Sequence, residues 1–130
     1  TNSTNYVAYC FAPKQGYSRF AFFRGNGSTD GPFVYTGFKP AFLMFKQHTN
    51  SGNDWFIFDS ARSPFNGVMP YARANGANAD ASGDLLQFMS NGFKLKHNDS
   101  AFNGDNHDYI YMAFAENPFV TSGGVPTTAR

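Results

Sequence analysis

Cysteine is nearly absent: the 130 residues contain one, Cys10. A lone thiol excludes an intrachain disulfide framework, and it counts against a small secreted eukaryotic module. Charge is also scarce. Asp, Glu, Lys and Arg make up 15% of the chain and the formal net charge is +1, which removes the electrostatic case for nucleic acid or an anionic membrane as partner. No apolar run is long enough to span a membrane and no secretory leader is legible, so membrane insertion is not expected. No segment carries the 3.6-residue period of an amphipathic helix. The chain opens on Thr1 rather than Met, which reads as a mature fragment or a piece of something longer.

Aromatics, in contrast, make up 18% of the residues, with 16 Phe, 7 Tyr and 1 Trp. Apolar runs rich in aromatics and separated by Gly, Asn and Ser turns are the pattern of a loop-rich β protein. The runs are 6–12, 17–23, 33–35, 41–46, 55–59, 85–89, 93–95 and 109–115. Residues 60–83 have no clean period and read as a long surface excursion, a place where function often resides. Residues 96–108 read as a polar loop. Asn91-Gly92, flanked by Phe88 and Phe93, reads as a type I′ hairpin turn. The run from Tyr109 to Ala115 reads as a central strand buried on both faces, with Met112 or Phe114 toward the core. Together these predict an all-β fold, an antiparallel β-sandwich of jelly-roll or concanavalin-like type with about eight short strands. Residues 1–16 form an arm and a strand, 17–120 the sandwich module, and 121–130 a flexible tail.

One similarity within the chain stands out. Tyr6-Val7-Ala8-Tyr9-Cys10-Phe11-Ala12 has the shape of Tyr109-Ile110-Tyr111-Met112-Ala113-Phe114-Ala115. It reads as a copy of the closing strand, left by a preceding module about 100 residues upstream. A sandwich already closed by 109–115 has no internal vacancy for a second copy. The segment is therefore expected to add to a sheet edge of its own domain, the favoured outcome, or to pair with a neighbouring chain.

Several motifs together resemble a family of phage-associated domains. They are Tyr6 to Phe11, Gly16-Tyr17-Ser18, Gly25-Asn26-Gly27, the run from Gly31 to Pro40, Trp55 with Phe58-Asp59-Ser60-Ala61-Arg62, Ser90-Asn91-Gly92-Phe93, and Tyr109 to Pro118. The family occurs in tail-fibre and other virion proteins of bacteriophages, especially marine ones, often in tandem. The resemblance spans most of the chain but not 63–83. It implies a non-enzymatic, lectin-like structural or adhesive module on the particle surface. Its implied partners are other virion proteins, a homo-oligomer with a trimer favoured, and a host cell-surface glycan. It implies no cofactor and supplies no catalytic residue. Two other readings are a capsid decoration or shell protein and a polysaccharide-degrading enzyme of lectin-like fold.

Side chains suited to sugars are Tyr71, Arg73, Trp55, Asn50 and His48. Trp55, Tyr71 and Tyr35 offer ring faces for stacking, and Tyr71, in the irregular excursion, is the better surface candidate. Core packing is the main reading of Trp55. Asp99, Asp105 and Asp108 are oxygen donors of the kind calcium prefers, but they lack its twelve-residue loop and read first as turn formers. His48, His97 and His107 lack metal-ligand spacing. Asp59, Asp84 and Glu116 would have to face each other across a cleft to hydrolyse a glycoside, and Asp59 reads instead as a local partner of Arg62. Ser60 and Ser90 lack a nucleophile elbow. The Gly-rich stretch from Arg24 to Gly31 lacks the phosphate-loop ending. Cys10, within an apolar run, reads as an inert core thiol.

Overall fold

A computed structural model describes residues 4–63 and 65–118. Among these residues, nine strands and one helical turn make an all-β sandwich. The strands are β1 (Ser18–Arg24), β2 (Phe33–Tyr35), β3 (Pro40–Gln47), β4 (Phe56–Asp59), β5 (Met69–Arg73), β6 (Ala81–Gly83), β7 (Leu86–Met89), β8 (Gly92–Leu95) and β9 (Asp108–Ala115), with α1 (Ser100–Asn103) between the last two. Six strands form one sheet in the order β1-β9-β3-β4-β5-β6, and three form the other in the order β2-β8-β7. Every pairing is antiparallel. The predicted flexible tail lies outside the described residues.

Alternation along the strands builds the core. On β9, Tyr109, Tyr111 and Ala113 point inward and are buried. On β3 it is Leu43 and Phe45, and on β4 Phe56 and Phe58. Phe45 sits at the centre. Its ring stacks on Phe58 at 5.7 Å and meets Phe23, Phe102 and Tyr109 edge-on at 5.8 to 6.2 Å. Phe23 reaches across to Phe93 of the small sheet at 5.8 Å. Such edge-to-face pairs add to the area term that drives burial.

Several expectations are corrected. Residues 6–12 form no strand; the position between β1 and β3 that suits such a sequence is filled by β9. The edge-strand form of that expectation falls with it. Tyr6, Val7 and Tyr9 are 81–86% exposed, and Cys10 is an exposed thiol rather than a core one. Met112 and Phe114 do not face the core. They project from the opposite face of β9, where Phe114 packs edge-on against Tyr17, Phe20 and Phe42. The excursion of 60–83 contains a hairpin, β5 paired with β6. The polar loop contains α1, which buries Phe102 and Asn103. The hairpin of β7 and β8 exists, but its turn residues are Ser90 and Asn91, because Met89 pairs with Gly92. No positive φ occurs at Asn91 or Gly92. Gly92 is instead required by proximity: a Cβ there would lie 2.1 Å from the Val34 carbonyl oxygen.

Candidate functional site

The residues suited to sugars fall into two groups. Trp55 precedes β4, and Tyr71 and Arg73 sit on the adjoining β5. Backbone pairing of Phe56 with Arg73 brings them together. Arg73 lies over the rings of Tyr71 and Phe56 at 5.6 and 5.8 Å and holds Asp54 at 3.0 Å. Asn75 fastens the other side, donating to Asp54 at 3.0 Å and accepting from the Trp55 backbone N–H at 2.8 Å. Lys46 stands over the Trp55 ring at 5.8 Å. Tyr71 is not a free surface ring. It is half-buried against Phe56, Phe58 and Phe102. This corner is a packed cation–aromatic rim.

His48 and Asn50 lie in the loop joining β3 to β4, the loop that also carries Asp54 and Trp55, at the same end of the sheet. That loop is stitched to the start of β9. The His48 N–H donates to the Asp108 carbonyl at 2.7 Å, and Thr49 Oγ1 accepts from the Asp108 N–H at 2.7 Å. Asn50 Nδ2 stands 3.4 Å from His107 Nε2, and Gln47 contacts the other ring nitrogen. The five residues share this end of the sheet but make two separate sets of contacts, one between β4 and β5 and one with the start of β9.

The candidate carboxylates other than Asp105 are committed to other partners. Asp99 caps α1, accepting from the Ala101 N–H at 2.8 Å. Asp108 takes the Arg24 guanidinium in two bonds of 2.8 and 3.0 Å, which holds its carboxyl below the usual range, with the charge of His48 acting the same way. Asp105 is exposed. Asp59 pairs with Arg62 at 2.5 Å, as its sequence neighbourhood suggests, while Asp84 pairs with Lys96 and Glu116 with Lys39. Among the described residues no three His, Cys, Asp or Glu side chains come together as a metal site.

A polar residue missed by sequence reading organises this end of the sandwich. Asn103 is fully buried. Its Oδ1 accepts from the Asn26 N–H, and its Nδ2 donates to Asn26 Oδ1 and the Ser28 carbonyl, at 2.8 to 3.0 Å. It thus holds the Gly-rich loop after β1. Beside it, the buried Tyr109 hydroxyl donates to the Ser100 carbonyl at 2.5 Å and accepts from the Gly104 N–H at 2.7 Å. Burial pushes the Tyr109 pKa up.

The other missed feature is apolar surface. The outer face of the large sheet carries Phe20, Phe22, Phe42, Ile110, Met112 and Phe114. Phe22 is 71% exposed and Ile110 39%. The arm crosses one corner of this face: Phe11 stacks on Phe20 at 5.4 Å and meets Phe114 at 6.4 Å. The signal was present in Phe20-Ala21-Phe22-Phe23, a run apolar on both faces of a strand.

Comparison with known proteins adds one finding. The chain belongs to a family whose sequence model, DUF7483, a domain of unknown function, matches residues 1–118. No curated protein and no solved structure matches the chain.

Proposed function

We propose that this domain is a non-catalytic structural and adhesive module of a bacteriophage virion, part of a tail fibre or similar appendage, which assembles with copies of itself through its N-terminal arm. The virion and host-glycan half of this reading rests on the motif resemblance. The assembly half rests on one observation: Tyr6, Val7 and Tyr9 stand in solvent at 81–86% exposure, on a segment that pairs with no strand. Three large apolar side chains in a row of four positions are costly to leave in water. An extended segment of this kind supplies main-chain hydrogen bonds and side-chain anchors to a neighbouring chain. The family match, residues 1–118, includes this arm, so the arm belongs with the domain. A non-enzymatic role is supported by Asp59, Asp84, Asp99, Asp108 and Glu116, each satisfied by a cation or a cap instead of facing another carboxylate across a cleft.

Quantitative peptide mass spectrometry of purified particles that encode the chain tests the location. A few to tens of copies per particle supports an appendage; hundreds would favour shell decoration, and absence from the particle would end the reading. A hydrolytic role would be supported by turnover of host polysaccharide.

A further inference from the structure

We infer that the cleft between the β1 and β2 edges of the two sheets binds the carboxylate of an acidic saccharide. The cleft measures about 470 Å³, a size suited to one or two sugar rings. Its working side chains are Lys14, Gln15, Arg19 and Tyr35, set against Thr36 and Gly37.

The charge balance of the molecule singles out this place. Arg24, Lys39, Arg62, Arg73, Lys94 and Lys96 are each held by a carboxylate. Lys46 stands over Trp55. Among the described residues Lys14 and Arg19 alone of the Lys and Arg side chains have neither kind of partner, and both line this cleft. No carboxylate lines it. Two cations lining one cleft with no counter-charge there make its potential positive, and an anion bound in it is attracted to both. Arg19 projects from the core-facing side of β1, at the position paired with Ala113, and its guanidinium stands beside the neutral Tyr111 hydroxyl. A guanidinium there can take a carboxylate in two parallel bonds.

The walls are fixed in advance. The Lys14 backbone exchanges bonds with Ser18 at 2.9 and 3.1 Å and accepts from the Tyr17 N–H at 3.0 Å. Gly16 turns the chain at φ +69°. Opposite, the Thr36 and Gly37 N–H groups both donate to the Asn91 carbonyl at 3.0 and 3.2 Å, and the Thr36 hydroxyl donates to the Phe38 carbonyl at 2.6 Å. A pre-formed site loses little conformational freedom on binding. The Tyr35 ring, 58% exposed, offers a face to the C–H side of a sugar. Gly37 (φ +86°) lies beside it, and a Cβ there would come within 3.5 Å of the Tyr35 hydroxyl. Gln15 supplies an amide for ring hydroxyls. The sugar assignment rests on the adhesive reading above; the anion assignment rests on the cleft alone.

The test is NMR titration of the intact chain with carboxylated saccharides (trigalacturonate, sialyllactose), their methyl esters, neutral oligosaccharides and inorganic phosphate. At least one acid should bind, moving the amides of 14–19 and 35–37 and weakening as salt rises. Its ester should lose most of the affinity. Arg19→Gln and Lys14→Gln should each weaken binding by about tenfold, the effect of losing one close charge pair, with unchanged melting temperature. Tyr35→Ala should weaken the saccharide but leave phosphate binding as it was. Equal binding of acid and ester, or affinity unmoved in Arg19→Gln and Lys14→Gln, overturns the proposal. Neutral saccharides bound with shifts elsewhere would overturn the cleft while leaving the adhesive reading standing. Phosphate bound with no saccharide would overturn the sugar assignment.

Discussion

Gly92 shows how a residue can be required for a reason other than the one its neighbours suggest. Asn-Gly between apolar runs implies positive φ, yet the turn sits one residue earlier and Gly92 is a strand residue pressed against β2. Gly92→Val should cost about 1–3 kcal/mol through overpacking, because the Val34 carbonyl and the Phe33 ring have no room for a Cβ. A melting temperature equal to wild type would refute the contact. Asn103 could not be foreseen at all. In a run of Asn, Asp and Gly every residue reads as a turn former, and nothing local marks the one that is fully buried. Asn103→Ala should cost about 2–4 kcal/mol, since it leaves the Asn26 N–H and the Ser28 carbonyl without partners. Amide exchange of residues 25–31 should accelerate in the same variant. Asp30 and Asp108 both have carboxyl pKa values held below the usual 3.8, by Lys94 and Arg24 respectively. The folded state therefore binds fewer protons than the unfolded chain near pH 4. The stability from these pairs is present above that pH and is lost as pH falls through the folded values. Carboxyl ¹³C titration should find both groups low. In Arg24→Gln, Asp108 alone should move up toward its ordinary value, and an unmoved Asp108 would contradict the pairing.

Among the elements, those with long aromatic runs were legible and those with weak strand chemistry were not. β1, β3, β4 and β9 fall where alternating or continuous apolar residues place them. β5 and β6 were hidden because Met69-Pro70-Tyr71-Ala72-Arg73 and Ala81-Ser82-Gly83 contain no β-branched residue, and a Pro argues against a strand. Their pairing is a product of tertiary context. α1 was hidden because one helical turn carries no period; its single apolar anchor, Phe102, shows only when the ring is seen against Phe45 and Phe56. The same limit scattered the candidate sugar residues. Trp55, Tyr71 and Arg73 meet by strand pairing, whereas His48 and Asn50, in the same loop as Trp55, turn toward the start of β9. Of the cleft residues Tyr35 alone is a stacking candidate in the sequence; Lys14 and Arg19 gave no signal, since they meet it only where two sheet edges come together. On β3 and β9 the assignment of faces can be checked directly. Phe45→Ala, at the centre of the core, should cost about 3–5 kcal/mol. Phe114→Ala, on the outer face, should cost clearly less. Equal losses would mean that the outer face is as tightly packed as the core.

The whole molecule is a closed sandwich with an apolar segment left outside it. The described residues include no helix long and apolar enough to cross a membrane, and none of residues 4–10 belongs to the hydrophobic core cluster. Those residues contribute little to folding, and their side chains are too apolar for a segment meant to stay in water. Assembly through this arm is the central claim, and sedimentation velocity tests it most directly. The full chain is compared with a variant carrying Tyr6→Ser, Val7→Ser and Tyr9→Ser, which keeps Phe11 on its own sheet. Exposed substitutions of this kind change stability by about 0.5 kcal/mol or less each, so folding is not in question. The account predicts a concentration-dependent oligomer for the full chain and a monomer of unchanged melting temperature for the variant. A full chain that sediments as a monomer up to high micromolar concentration, or a variant that assembles as well as wild type, would contradict it.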